Sequence, residues 1–212
     1  MLSRRCTKAC RWLLLPLIAA VARGAGGGTV APAPADRDAQ APGGEQQAIP
    51  AAALTLFEQA AAVMAAGDYV EAEFRFKEFL LQYPEFPGAH VNLAIIHATR
   101  EDDVAARAAL DAALALNPDH ASALSQLGQL LRRNGDFSGA EAAYLKAVTV
   151  RPDYALAHYN LGVLYELYLQ RLDAALKHFE AYQALVGEDK QVAKWIADLR
   201  RRLAAAQRTA NV

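Results

Sequence analysis

The sequence predicts an all-α fold, an α-solenoid in which four helix-turn-helix units stack in a row and end in a capping helix. Residues of the same type recur every 34 positions, at Ala72, Ala106 and Ala140 and at Pro84, Pro118 and Pro152. Each copy holds two apolar patterns with the three-and-four spacing of a helix face. The recurring proline follows the second pattern, where it prevents that helix from continuing. A fixed period of this length indicates stacked structural repeats rather than one globule.

The third copy shows the pattern most clearly. Its first helix is predicted from apolar residues on one face, at Leu124, Leu127, Leu130 and Leu131. The sequence Asn-Gly-Asp-Phe at 134–137 makes the turn, and the second helix repeats the spacing at Ala140, Tyr144, Ala147 and Val148. Gly128 and Ala140 are predicted to meet where the two helices touch, because small residues let backbones approach. Aligned on this copy, the repeats span residues 53–86, 87–120, 121–154 and 155–188, within a repeat region of residues 50–188.

The fourth copy carries one extra residue. Ala175 lies 13 positions after Gly162, whereas the equivalent residues of the third copy are 12 apart. We therefore expect a longer connection between the two helices at residues 167–171, with Leu167 or Leu169 protruding.

Residues 189–207 are predicted to form the capping helix, with Asp189 as its N-cap. One face is apolar, with Val192, Trp195, Ile196, Leu199 and Leu203. The other face carries the basic residues Lys190, Lys194, Arg201 and Arg202. Repeat arrays need a terminal helix with one polar face toward solvent. A capping role therefore explains why one face of this helix is apolar and the other basic. The alternative is that the run Leu-Arg-Arg-Arg-Leu contacts an acidic partner or lipid headgroups.

The N-terminal 23 residues are typical of a secretory signal peptide. Basic residues precede an apolar run of 11 residues, Trp12 to Ala22, which is shorter than the roughly 20 needed to span a bilayer. Ala20-Val21-Ala22 has the small-x-small form of a cleavage site. The prediction is a periplasmic or secreted protein cleaved near Ala22, and the alternative is an uncleaved segment that anchors the chain in the inner membrane.

The predicted signal peptide is followed by a flexible linker at residues 24–49, which is rich in Gly, Ala and Pro and has no apolar periodicity. Cys6 and Cys10, the two cysteines, lie before the apolar run. After cleavage the protein would have no cysteine, so neither a disulfide nor thiol chemistry is expected.

The repeat pattern resembles the tetratricopeptide repeat (TPR) family. The third copy supplies the family's pattern in full, with Leu124, Leu127, Gly128, Leu131, Ala140, Tyr144, Ala147 and Pro152. The first and second copies match it in part, so the resemblance covers about two thirds of the chain. It implies a right-handed α-solenoid of four TPR units whose first helices line a concave groove for a protein or peptide.

The residues that the resemblance places in this groove are Phe57, Ala61, Val91, Asn92, Ile95, Ser125, Gln129, Arg132, Tyr159, Asn160 and Val163. They form an apolar lining around a polar centre, which suits a helix or an extended peptide with hydrophobic anchors. Asn92 and Asn160 match a common family asparagine that bonds a peptide backbone or braces the helix. Packing against the next repeat is the competing interpretation for each of these residues.

No catalytic, metal or cofactor motif is found, so an enzyme is not expected. His97 lies seven residues after His90, and no acid or cysteine completes a metal site on that face. His90 and His158 are expected to fill helix interfaces. From Pro50 onward there are 20 acidic and 16 basic residues, a balance that argues against nucleic acid as a partner.

The sequence therefore predicts a non-catalytic protein-interaction scaffold of the bacterial cell envelope. The fourth copy and tail are also similar to repeat proteins that accompany TonB and ExbB type energy-transducing systems. The alternatives are an assembly factor for pili, secretion or outer-membrane machinery and a regulatory subunit of a polysaccharide-synthesis enzyme. Oligomeric state is not predicted.

Overall fold

The computed structural model describes residues 50–210, and these form helices joined by short turns. The helices are α1 Ala51–Ala65, α2 Tyr69–Gln82, α3 Pro87–Thr99, α4 Asp103–Leu116, α5 Ala121–Arg133, α6 Phe137–Val150, α7 Ala155–Val163, α8 Leu172–Val186 and α9 Lys190–Ala210. A π-helical turn, Leu164–Tyr168, extends α7. The predicted all-α solenoid of helix pairs is confirmed. The predicted signal peptide and linker lie outside the described residues.

The helices pack as consecutive pairs, and each pair contacts the next. In addition, α5 contacts the first helices on both sides of it, α3 and α7. Within residues 50–210, the second helices of successive pairs do not approach each other to the same extent. The first helices therefore line the inner surface of the solenoid, and the second helices form the outer one.

The turns within the first three pairs have a common design. Gly67 and Gly135 adopt the left-handed conformation, with φ of 87° and 83°, which glycine adopts without steric cost. Glu101 holds the equivalent place with φ of 62°. The residue that follows each is an aspartate whose side chain accepts a hydrogen bond from the helix backbone, as when Asp136 Oδ1 accepts from Gly139 N at 2.9 Å. These N-caps fix where each second helix begins.

The small residue at Gly128 is required by an aromatic ring. A Cβ atom at Gly128 would lie 2.6 Å from Cε1 of Tyr144, the nearest of its neighbours. The sequence predicts small residues at Gly128 and Ala140 where the two helices touch, and the structure adds that the Tyr144 ring on α6 lies directly against this glycine. Gly162 lies against Phe179 in the same way, with an approach of 2.6 Å.

The extra residue of the fourth copy lies within the first helix of that pair, in the π-helical turn that extends α7. Leu169 N donates to Leu164 O at 3.1 Å, a bond that spans five residues and is characteristic of a π-helical turn. The connection that follows is as short as the others, so the expected longer connection is wrong. Gln170 takes the left-handed place of the turn, with φ of 54°, one residue later than the 34-residue period requires. Leu167 is half exposed, as expected.

Helix α9 closes the array by packing on α8. Val192, Ile196 and Leu199 are buried in the core cluster of the last two pairs. The carboxylate of Asp189 accepts hydrogen bonds from Gln191 N at 2.8 Å and from Val192 N at 3.1 Å, which confirms the predicted N-cap. None of the helices in the described part of the chain has the length and apolar content needed to cross a bilayer.

Candidate functional site

The predicted groove residues of the first two pairs are not accessible to solvent. Phe57, Ala61, Val91, Asn92 and Ile95 are all buried. The expectation that these predicted groove residues are exposed is therefore corrected.

The burial of these residues is explained in part by an aromatic cluster. The Phe57 ring lies 5.6 Å from Phe76, 5.9 Å from Phe79 and 5.1 Å from Phe86, measured between ring centroids. Helix α3 packs against α2, α4 and α5, which leaves little of it in contact with solvent. Large apolar residues on the inner faces of α1 and α3 fill the core here because neighbouring helices cover them.

The accessible part of the inner surface lies on α5 and α7. Ser125 and Asn160 are buried on these helices, whereas Gln129, Arg132, Tyr159 and Val163 remain partly exposed. Two further residues extend this surface: Gln126 on α5 is partly exposed, and Leu156 at the start of α7 is 52% exposed. We call these six residues the inner surface patch.

Tyr159 is held by aromatic neighbours on two other helices. Its ring centroid lies 5.3 Å from that of Tyr182 on α8 and 6.0 Å from that of Trp195 on α9. Burial raises the pKa of its phenol, and the nearby Tyr182 and Asp189 add to the effect. Tyr159 therefore packs against the last two helices as well as contributing to the patch. For this residue, the structure favours the competing interpretation of packing between helices.

Arg132 is a half-buried cation among tyrosines. Its guanidinium carbon lies 5.6 Å from the ring centroid of Tyr168, and its Nε is buried without a hydrogen-bond partner. It also lies close to the buried Tyr144 hydroxyl: burial raises the pKa of Tyr144 to about 12, and the positive charge of Arg132 opposes this shift. The sequence pattern did not identify Tyr168. The one-residue insertion was the available signal, because π-helical turns frequently occur at functional sites.

Each arginine of the basic run of α9 has an acidic partner, on a neighbouring element or on α9 itself. Arg200 pairs with Glu180 at 2.7 Å, Arg202 pairs with Glu166 at 2.9 Å, and Arg201 pairs with Asp198. These pairs favour the capping interpretation over an acidic partner for this run. Glu180 and Arg200 also line a depression between α8 and α9.

The histidines pack between helices. His158 Nδ1 lies 3.1 Å from His178 Nδ1, and His158 Nε2 lies 3.0 Å from the carbonyl oxygen of Pro152. The ring of His178 stacks on Tyr165 at 5.6 Å. Across residues 50–210, no three His, Cys, Asp or Glu residues are grouped so that they could hold a metal ion.

Comparisons with known proteins agree with this architecture. A family profile described as "Tetratricopeptide repeat" matches residues 63–131, and one described as "TPR repeat" matches residues 128–167. No match was found among curated proteins.

Solved structures share the fold. PilF from Pseudomonas aeruginosa superposes with a TM-score of 0.66 at 23% identity, covering 73% of this chain and 70% of that one. MamA from Desulfovibrio magneticus RS-1, residues 41 to the end, gives a TM-score of 0.59 at 21% identity, covering 77% and 92%. A mutant O-GlcNAc transferase from Thermobaculum terrenum gives 0.57 at 25% identity over 63% of this chain, which spans only 26% of that enzyme. Helix-pair arrays of this kind therefore occur both as most of a chain and as part of a larger one.

Proposed function

This chain is a tetratricopeptide repeat protein, and from that premise we propose that it is a non-catalytic scaffold that holds a segment of a partner protein on the inner surface patch. Arrays of this family are protein-interaction scaffolds, and the inner surface is where their first helices face a partner. The observation that carries the proposal is the exposure of this patch, in contrast to the buried groove residues of the first two pairs.

The chemistry of the patch suits an extended or helical segment. Gln126 and Gln129 lie on one face of α5 and provide amide donors and acceptors for a partner's backbone. Leu156 and Val163 on α7 provide apolar contacts beside them. A polar row next to apolar anchors is the arrangement expected for recognition of a peptide segment.

The proposed location is the bacterial cell envelope. It is supported by the basic start, the 11-residue apolar run and the small-x-small site of the N-terminal segment. The resemblance of the fourth copy and tail to repeat proteins of TonB and ExbB type systems suggests an energy-transducing assembly as the setting. An assembly factor for pili, secretion or outer-membrane machinery is the second candidate, and the identity of a captured partner would distinguish the two.

Replacing Leu156 with serine is expected to weaken partner capture by about tenfold or more, because burial of a leucine side chain contributes roughly 1.5–3 kcal/mol. The measurement is recovery of partners from envelope extracts by the full chain and its variants, followed by affinity measurement with the partner identified. Leu81→Ser is the matched control, since Leu81 is 86% exposed on the outer helix α2. The proposal would be contradicted if Leu156→Ser captured partners as well as the unaltered chain and Leu81→Ser did not. That result would indicate a binding surface on the outer helices.

A further inference from the structure

We propose that copies of this chain associate head to tail, with the outer face of α2 in one copy docked in the depression between α8 and α9 of the next. The contact uses the two ends of the array and leaves the inner surface patch free. It therefore goes beyond the proposed function and does not depend on it.

Helix α9 has the register of a first helix. It begins at Lys190, 35 residues after the start of α7 at Ala155, and the difference from the 34-residue period is the inserted residue. Three buried residues of α9 follow three buried residues of α7 and its π-helical turn at the same spacing: Val192 follows Ala157, Ile196 follows Leu161 and Leu199 follows Leu164. In this register, Ala197 holds the place of Gly162. Helix α9 therefore corresponds to the first helix of a fifth pair.

Within residues 50–210, no second helix completes this fifth pair. In the third and fourth pairs an aromatic ring of the second helix covers the equivalent glycine, Tyr144 over Gly128 and Phe179 over Gly162. Helix α9 instead continues for 21 residues, and Ala197 is exposed. The depression between α8 and α9 is therefore an open place for one further helix.

The depression is lined largely by small side chains. Its volume is about 580 Å³, within the range of roughly 300–1,000 Å³ that is typical of protein binding clefts. Its apolar lining consists of Ala184, Ala193, Ile196 and Ala197. Small residues let a packed helix approach closely, so this surface suits a helix that presents large apolar side chains.

The outer face of α2 presents such side chains. Val70 is 74% exposed, Phe74 62% and Leu81 86%, and their spacing places them on one side of the helix. We call these three residues the α2 stripe. At the second and third of these positions, α4 and α6 have smaller residues, Ala108 and Ala115 and then Ala142 and Thr149. Terminal repeats need a polar outer face for solubility, so the α2 stripe indicates a contact site.

The α2 stripe and the depression are complementary in size. Docking places Phe74 against Ala197, as the aromatic rings of second helices lie against small residues of first helices within the array. The first pair already has this combination at the equivalent positions, where Ala60 and Phe76 are both fully buried. A second copy of the chain therefore provides a suitable occupant for the depression.

The charges beside the two surfaces are complementary as well. Lys77 and Glu78 are exposed on opposite sides of the α2 stripe, and Glu180 on α8 faces Arg200 on α9 across the depression at 2.7 Å. In one of the two orientations of the docked helix, Lys77 meets Glu180 and Glu78 meets Arg200. The reverse orientation brings like charges together. Existing surface pairs, such as that of Lys77 with Glu73, are weak enough to exchange, so the charges select one orientation.

Sedimentation equilibrium of the full chain over a range of concentrations tests the inference. A contact between two different surfaces lets each copy bind one neighbour at each end, so we expect an average mass that rises with concentration. Phe74→Asp on the α2 stripe and Ala197→Arg in the depression are each expected to raise the Kd at least about tenfold. Val104→Asp is the matched control, because Val104 is 83% exposed on the outer helix α4, and it should leave the Kd unchanged.

An equimolar mixture of the two loss variants tests the head-to-tail geometry. Phe74→Asp retains an intact depression, and Ala197→Arg retains an intact α2 stripe. We therefore expect the mixture to form a one-to-one complex with the Kd of the unaltered contact, at concentrations where each variant alone is monomeric. If thermal unfolding shows that Ala197→Arg does not fold, Ala184→Arg on the opposite wall of the depression takes its place.

Three results would overturn the inference. The first is a full chain that remains monomeric at every concentration. The second is association that is lost in Phe74→Asp and retained in Ala197→Arg, which would indicate that two α2 stripes pair with each other. The third is a mixture of the two variants that forms no complex.

Self-association and partner capture are separable. Leu156→Ser is expected to associate as the unaltered chain does, because Leu156 belongs to the inner surface patch. A cross-link between two copies has a mass that is a multiple of the mass of this chain, which distinguishes it from a cross-link to another protein. Loss of association in Phe74→Asp with full partner capture would leave the proposed function intact.

Discussion

Replacing Gly128 with alanine is expected to lower the free energy of unfolding by roughly 1–3 kcal/mol, the usual cost of overpacking a core. On an isolated helix the same change would stabilise by about 1 kcal/mol, because alanine is the better helix former. The expected change in the free energy of unfolding is therefore opposite in sign to the change that helix propensity alone would give.

The reason is the position of the Tyr144 ring. An alanine Cβ at residue 128 would come within 2.6 Å of Cε1, 2.7 Å of Cδ1 and 2.8 Å of Cζ of this ring. The ring is fully buried, so the helices must separate or the ring must leave its rotamer. Gly162 and Phe179 repeat the arrangement in the next pair, which makes this contact a general requirement of the later repeats.

Thermal and denaturant unfolding of Gly128→Ala, Tyr144→Leu and the double variant form a mutant cycle. The penalty of Gly128→Ala is expected to shrink or to reverse in the Tyr144→Leu background, where the ring is absent. A penalty of the same size in both backgrounds would mean that the clash lies elsewhere.

Acidification is expected to destabilise the fourth helix pair through His178, whose ring lies against His158. The 3.1 Å separation of their Nδ1 atoms allows one proton between them, and His158 Nε2 faces a carbonyl oxygen and so carries a proton. Two fully protonated rings cannot share this geometry. Burial, with contributions from His158 and Lys177, lowers the pKa of His178 to about 4.

The sign of the effect follows from this shift. In the unfolded chain His178 takes up its proton near its ordinary pKa of about 6.5, whereas in the folded chain it does so only near 4. The neutral buried ring therefore contributes stability above about pH 6.5, and that contribution is lost as the pH falls toward 4. The loss is on the order of 1–3 kcal/mol.

The measurement is the free energy of unfolding between pH 7.5 and pH 4.5 in the unaltered chain and in His178→Leu. The decline with acid is expected to be less steep in His178→Leu, whatever its stability at pH 7.5. His97→Asn is the control, because His97 lies at the end of α3 away from the pair, and it should retain the full decline. The same decline in all three proteins would contradict the assignment to His178.

Local features of the fold could be predicted from the sequence because each repeat carries its own signals. The 34-residue period, the glycine and aspartate of the turns and the proline after each second helix all act within one helix pair. The burial of Val91 and Ile95 could not be predicted this way, since it depends on how closely α3 packs against α2, α4 and α5.

The departures in the fourth pair have a similar origin. The insertion was visible in the spacing from Gly162 to Ala175. Its conversion into a π-helical turn could not be predicted, because it depends on how Leu164 and Leu169 pack against residues of other helices. Of the residues that the pattern places in the groove, Gln129, Arg132, Tyr159 and Val163 are partly exposed, and their role in binding stays a prediction. Tyr168 was missed because the pattern of the regular repeat has no place for it.

Site-specific photo-crosslinking in living cells tests most directly whether the inner surface holds the partner. A benzophenone amino acid is placed in the full-length chain either at Gln129, on the inner face of α5, or at Phe74, which is 62% exposed on the outer helix α2. We expect a discrete crosslinked partner from position 129 that weakens when Leu156 is replaced by serine, and no such product from position 74. A partner crosslinked from position 74 and not from position 129 would contradict the proposed binding surface.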